Sequence, residues 1–335
     1  MSIILATNNI ADVGGNPIKD TTAGRFRSTH VGYGIATEGT SSHTPVATAE
    51  FKHAPVGGDV TWIHCKIWHS HNVGANNGTG AFWCAIRDAS NALICDFDLD
   101  FSPDVHVTLF GASTVNYTPA GNRNPYNSVA TIGDVDIKLT VSVATLTVEV
   151  YIDGGEYPYF NLTVANNGKT APVFEEWRCF DWLDTNVTVR QVISEYIVAD
   201  EDTRGLGLTD KFTLADGVNT WTGDVADLFD ENVSTGMTAD ALGKRVTQAV
   251  TAYGGPGASV TRAVVITAYG DVDGADGDVR GAARANDQDF FTGNAGLKNG
   301  IPESRSVAFD TNPIDSSAWL EADFTDFEFG IEASS

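Results

Sequence analysis

The sequence is poor in what helical and nucleic-acid-binding proteins are rich in. Methionine occurs twice in 335 residues, and blocks of Ala, Glu, Lys and Leu are missing. Without straight-chain helix formers in series, a helical bundle is excluded. Basic residues number 20 against 44 acidic ones, for a formal net charge of −24. A surface of that sign repels phosphate backbones and anionic lipid headgroups, so no nucleic-acid partner is expected. No stretch stays apolar for the ~20 residues a membrane helix needs, and no membrane insertion is expected. Met1 to Ile10 has neither a basic start nor a long apolar core, so no secretory leader is expected. The cysteines Cys65, Cys84, Cys95 and Cys179 form no C-x-x-C pair. They read as free, buried thiols of a reducing compartment. P-loop, Rossmann, H-E-x-x-H and G-x-S-x-G fingerprints are absent, and the protein is not expected to be an enzyme.

What is present is the vocabulary of strands and turns: 34 glycines, with Thr, Val, Asn and Asp throughout. A hydrophobic share of 42% suffices for a sizeable core, and the length suggests two domains. Residues 1–60 are polar, Gly-rich and weakly patterned, and read as an extended arm with leading loops. From Thr61 the text alternates. Leu93, Cys95, Phe97, Leu99 and Phe101 share one strand face; Asp96, Asp98 and Asp100 share the other. Ile137, Leu139, Val141 and Val143 alternate with polar residues, and the phase slips at Ala144-Thr145. Leu146, Val148, Val150 and Ile152 then resume it, which predicts a hairpin closed onto one core. Asp153-Gly154-Gly155 follows as a tight turn. Many short strands without intervening helices give an all-β fold class, a β-sandwich over residues 61–207. Strand text stops in the charged run around Ala199 to Gly205. A second, smaller β-rich domain of sandwich or jelly-roll type is expected over 208–335, with a short helix at Asp224–Phe229.

The stretch Val148-Glu149-Val150-Tyr151-Ile152-Asp153-Gly154-Gly155 resembles a strand and turn of concanavalin/laminin-G-like lectin sandwiches. Ile193-Ser194-Glu195-Tyr196-Ile197-Val198, with Ala199 to Gly205 behind it, resembles the close of such sandwiches in structural proteins of tailed bacteriophages. Trp221-Thr222-Gly223-Asp224, Asp310-Thr311-Asn312-Pro313, Ser317-Ala318-Trp319-Leu320 and Phe327 to Glu332 are similar to a C-terminal module of phage virion proteins of tail-fibre, tail-associated or head-spike type. The resemblance covers roughly residues 130–335. It implies a virion component assembled with other virion proteins, a homo-oligomer with a trimer favoured, displaying a lectin-like domain that adsorbs to host cell-surface glycans. A glycan depolymerase and a purely architectural decoration protein are the alternatives.

Several residue groups are candidates for chemistry. The segment Asn116 to Asn127 combines Tyr, Asn, Arg and Gly, the residues of adaptable recognition loops. Tyr117, Asn122, Arg123, Asn124 and Tyr126 are therefore the expected glycan contacts. Asp96, Asp98 and Glu149 are the carboxylates a depolymerase would use, weighed against a plain solvated strand face. His69, His71 and Cys65 share a strand face but lack a further ligand at a recognised spacing, so no metal site is expected. Asp271 to Asp278 is acidic but has Asp276 where an EF-hand needs Gly, leaving weak calcium as the one cofactor considered. Trp62, Trp68, Trp83, Trp177 and Trp182 fall in strand text and are expected in the core.

Overall fold

The computed structural model describes residues 3–23, 25–26, 31–41, 44–69, 80–99, 105–117, 133–156, 158–181, 189–208, 216–228, 235–250, 263–325 and 327–335. The chain forms two compact units. One is Val13–Leu208; the other joins Met1–Asp12 to Thr209–Ser335. Strand β1 (Ile3–Thr7) belongs to the latter. The first unit contains β2 (Gly14–Gly15), β3 (Ile18–Asp20), β4 (Gly34–Ser41), β5 (Thr44–Lys52), β6 (Val60–His69), β7 (Gly80–Asp88) and β8 (Leu93–Leu99). It continues with β9 (Val105–Phe110), β10 (Thr114–Tyr117), β11 (Gly133–Val141), β12 (Thr145–Ile152), β13 (Phe160–Ala165), β14 (Pro172–Asp181) and β15 (Val189–Ala199).

Its strands bond in the order β10-β9-β8-β7-β14-β5-β4-β15-β6-β11-β12-β13. The β4–β5 hairpin, where Ser41 faces Thr44, divides this path into two antiparallel sheets. Sheet I runs from β4 to β13 with β3 on its flank; sheet II runs from β5 to β10 with β2 beside it. This is the β-sandwich expected from the strand text. Ile63, Cys65, Ile67, Ile137, Leu139, Val148 and Val150 of sheet I are buried, as are Phe51, Cys84, Ile86, Cys95, Leu109 and Trp177 of sheet II. Each such fully buried aliphatic or aromatic side chain contributes about 1.5–3 kcal/mol. Phe97 and Phe160 meet with ring centroids 6.1 Å apart. All four cysteines are free and buried. Burial pushes the Cys179 thiol up to about 11, against weaker opposing hydrogen bonds from Thr37 and Gln191.

The anticipated hairpin is present: Ile137 faces Val150 and Leu139 faces Val148 across β11 and β12. Asp153 and Gly154 follow with φ of 49° and 69°, and the Gly155 amide donates to the Ile152 carbonyl. Two successive left-handed residues are what a type I′ turn demands, and Asp-Gly supplies them cheaply.

The expectation of an extended arm over residues 1–60 is corrected. Strand β4 pairs with β15 in the interior of sheet I, and β5 pairs with β14 in sheet II. Tyr33, Ile35, Ala36 and Thr37 are all buried. A strand covered on both faces carries no period of two, which is why this text looks unpatterned. Residues 1–12 go to the other unit.

That unit holds β16 (Asp216–Asn219), β17 (Arg245–Ala249), β18 (Val264–Gly270), β19 (Gly277–Ala285), β20 (Gln288–Leu297), β21 (Glu303–Phe309) and β22 (Glu328–Ala333). A five-stranded sheet, β16-β17-β22-β19-β20, packs with the pair β18-β21. Trp319 sits at the centre, 1% exposed, within 5.2–5.6 Å of the rings of Phe324, Phe327 and Phe329. Its indole N–H donates to the Phe309 carbonyl at 2.8 Å. The short helix expected at Asp224 is a single 3-10 turn, Val225–Leu228, with the Asp224 carboxylate accepting from the Ala226 amide.

Candidate functional site

Strand β6 reads Thr61-Trp62-Ile63-His64-Cys65-Lys66-Ile67-Trp68. Its odd-numbered apolar residues enter the sandwich core, so Trp62, His64, Lys66 and Trp68 project from the opposite face of sheet I. The register places Asp134, Asp136 and Lys138 of β11 beside Lys66, His64 and Trp62. Tyr151 and Glu149 of β12 then stand beside Asp136 and Lys138. A two-residue alternation in three neighbouring strands thus assembles a dense polar and aromatic patch from residues far apart in sequence.

The patch is covered, not washed. Trp62 is 5% exposed, His64 0%, Lys66 1% and Tyr151 6%. Part of the cover is the segment after β15. The Thr203 hydroxyl donates to Asp136 Oδ1 at 2.8 Å, and the Leu208 amide donates to Glu195 Oε2 at 3.1 Å. The Arg204 guanidinium lies 4.6 Å from the Tyr151 ring centroid and 5.6 Å from that of Trp62. It donates to the carbonyls of Gly155 and Glu156 at 3.0 and 3.2 Å, and to the Asp202 carboxylate. Gly205, with φ of 75°, turns the segment back, and the Leu206 amide closes the turn on the Thr203 carbonyl.

The electrostatics beneath are paired. Lys66 meets Asp134. Lys138 Nζ lies 2.6 Å from Glu149, whose other oxygen accepts the Tyr151 hydroxyl at 3.2 Å. Burial, then the Glu149 charge, holds the Tyr151 phenol above its ordinary value. Hydrogen bonds from Arg204 hold the Asp202 carboxyl below the usual carboxylate range, against a smaller opposing effect of burial. His64 Nδ1 bonds Asp136 Oδ1 at 2.9 Å, and both side chains are fully buried. His64 Nε2 and Asp136 Oδ2 have no hydrogen-bond partner among the described residues. A bulge in β15 between Ser194 and Ile197, with Glu195 at φ 53°, turns the Glu195 carboxylate toward this cover while Tyr196 enters the core.

The sequence-predicted sites fare differently. Tyr117 ends β10, but its side chain lies outside the described residues, as do Asn122, Arg123, Asn124 and Tyr126. Asp96 is half-buried on β8, and Ile94 on the same strand side is fully buried, so that face is not a simple solvated row. The Asp98 side chain and Asp100 lie outside the described residues. Cys65 faces the core, whereas the His69 side chain and His71 are outside the description. Among the described residues no cluster of three or more His, Cys, Asp or Glu could hold a metal ion. In the acidic loop, Asp276 takes Lys298 at 2.7 Å and the Asn299 amide at 3.1 Å, so its carboxylate already has protein partners. Of the tryptophans, Trp177 is in the core, while Trp62 and Trp68 are buried on the other face of sheet I. Trp83's side chain and Trp182 are not described. In the sequence, Glu149 and Tyr151 share one motif while Trp62 and Arg204 stand in others, and nothing in those motifs brings them together. The available signal is the run of polar and aromatic residues on the second face of an otherwise apolar strand.

No protein-family model matches the chain, and no curated protein matches it in sequence. Solved structures resemble it weakly. The CBM2 module of the evolved Dit of Lactobacillus casei BL23 phage J-1 is 11% identical, covering 60% of this chain and 96% of that one, with a TM-score of 0.39. Lectin I-B4 from Griffonia simplicifolia is 12% identical, covering 59% and 99%, at 0.36. A sialidase is 9% identical over 59% of this chain at 0.38, and the match spans 19% of its length.

Proposed function

We propose that the chain is a structural component of a tailed-phage virion whose sandwich binds glycans of the host surface, acting by adhesion and not by cleavage. The observation that carries this is the Trp62–Tyr151 pair, ring centroids 5.5 Å apart, set among Lys138, Glu149, Asp202 and Arg204. Sugars offer apolar ring faces to aromatics and hydroxyl edges to charged and amide groups, and this arrangement supplies both once the segment carrying Arg204 lifts off the rings. The neighbouring edge of the same sheet face continues with Thr147, Asn161 and Thr163, whose Thr147 and Thr163 hydroxyls lie 3.0 Å apart. The virion assignment rests on the resemblance of Ile193 to Gly205 to the close of such sandwiches in structural proteins of tailed bacteriophages, and of Trp221 to Asp224, Asp310 to Pro313, Ser317 to Leu320 and Phe327 to Glu332 to a C-terminal module of phage virion proteins. Assembly as a homo-oligomer, with a trimer favoured, would multiply a weak site into useful avidity.

A glycan array probed with the whole chain tests the reading. Binding to host-surface polysaccharide is expected, reduced at least tenfold by Tyr151→Ala. Incubation of the bound polysaccharide should release no reducing ends. An array without any hit would remove the adhesion function, and release of oligosaccharides would replace it with a depolymerase. Sedimentation of the purified chain reads the oligomeric state, and mass spectrometry of purified particles reads the virion assignment.

A further inference from the structure

We infer that Arg204 is an internal occupant of a cation seat, and that the ligand able to replace it is a glycan bearing a protonated amine. The inference rests on the adhesion reading and adds the chemical class of ligand and the device that controls access.

The seat has two aromatic faces and one carboxylate bonded to the guanidinium. Tyr151 and Trp62 present rings to the guanidinium at 4.6 and 5.6 Å, while Asp202 bonds it and Glu149 stands beside Tyr151. Aromatic faces attract cations through their quadrupole, and carboxylates add charge. Without Arg204 the nearby side chains are Lys138 against Glu149 and Asp202, a net negative site in a chain of net charge −24. A neutral sugar would gain nothing from that excess of negative charge. An amino sugar would place its ammonium where the guanidinium now lies and its ring against Tyr151.

The occupant is attached to a segment built to leave. From Asp202 to Leu208 no residue joins a strand, and Thr203 is the one fully buried side chain. Thr203 to Asp136, the Leu208 amide to Glu195, and Arg204 to two carbonyls are single polar bonds. Segments held by few polar bonds and little buried apolar surface open far more readily than sheets. When the segment lifts, Asp136 Oδ2 and His64 Nε2, without partners among the described residues, are pre-placed for ligand hydroxyls.

The test uses the whole chain, Arg204→Ala, and Thr203→Val, which loosens the segment without touching the seat. Hydrogen exchange should show amides of residues 203–208 exchanging at least a hundredfold faster than those of β6 and β11. Glucosamine oligomers should bind Arg204→Ala and Thr203→Val at least tenfold more tightly than the parent chain, and N-acetylated oligomers of equal length should show no gain. Exchange of the segment together with the sheet would overturn the gating. Equal gain for acetylated oligomers, or no gain for either, would overturn the cation seat. If the parent chain still binds other glycans on the array, the adhesion reading survives that failure. Titration of both chains with methylguanidinium, read as fluorescence absent in Trp62→Phe, tests the seat apart from any sugar: tighter binding by Arg204→Ala supports it, and none opposes it.

Discussion

Tyr196 of sheet I lies flat against Phe51 of sheet II, ring centroids 3.7 Å apart and planes within 13°. The contact crosses the middle of the sandwich and carries a polar passenger. The Tyr196 hydroxyl donates to Glu175 Oε2 at 3.0 Å, while His53 Nε2 meets Glu175 Oε1 at 2.9 Å. His53 Nδ1 faces the Ala54 carbonyl at 2.7 Å, which can only accept. With Nδ1 donating to the Ala54 carbonyl, a protonated His53 donates through Nε2 to Glu175 as well, and the Glu175 charge favours that form.

Removing the hydroxyl alone should be costly out of proportion to its size. Tyr196→Phe keeps the stack but leaves a fully buried Glu175 oxygen unpaired, an expected loss of about 1–3 kcal/mol. Tyr196→Ala also opens a cavity and should lose about 3–5 kcal/mol. Urea unfolding measures both; equal stability of Tyr196→Phe and the parent would show that the bond contributes nothing.

The same pair sets a pH dependence. Burial alone would lower the His53 value, but the Glu175 charge and hydrogen bond, with the Ala54 carbonyl, together raise it above 6.5. A raised folded-state value means His53 adds stability that is complete below 6.5 and fades as pH climbs through the folded value. Asp88 behaves oppositely. Burial pushes its carboxyl up, yet bonds from Ser90, Ala92 and Thr170 prevail and lower it below 3.8. Its contribution is present above 3.8 and lost as acid protonates it. Stability should therefore decline on both sides of mildly acidic pH, and His53→Gln should flatten the alkaline side only. Thermal melts from about pH 2 to 9 check this.

Gly154 is an inexpensive probe of the β12–β13 turn. A methyl added there would have no atom within 4 Å, so Gly154→Ala meets no clash and tests φ alone. With φ at 69°, the substitution should cost about 1 kcal/mol. Neutrality in denaturant titration would mean that the turn relaxes to another type.

In the second unit, Trp319→Ala should remove about 3–5 kcal/mol, since the indole touches three phenylalanines and satisfies the Phe309 carbonyl. Trp319→Phe should recover most of the packing but not the hydrogen bond. Loss of near-ultraviolet dichroism in the alanine variant is the expected readout.

Which parts of this fold are legible in the chain follows from how many faces a strand buries. The β11–β12 hairpin shows itself because Lys138, Thr140, Thr147 and Glu149 alternate with core residues. Strand β4 hides, because its neighbours cover both faces and Gly, Ala and Thr fill tight space; a methyl added at Gly34 would stand 2.1 Å from Val192 Cγ1. Strands β19 and β20 hide for another reason, their Ala- and Gly-containing text resembling a loop. The binding patch is illegible as a unit. Trp62 and Tyr151 are neighbours only through the pairing of β6 with β11 and β11 with β12, Arg204 joins them from the segment after β15, and register is a property of the sheet, not of any one segment.

Because Met1–Asp12 folds with Thr209–Ser335, the order of synthesis and the order of assembly differ. At ~5–20 residues per second, the opening strand waits ~10–40 s on the ribosome before its companions begin to emerge. The sandwich, whose residues all lie between those two pieces, can mature during that interval. The unit that brackets it closes last, around a partner segment made first.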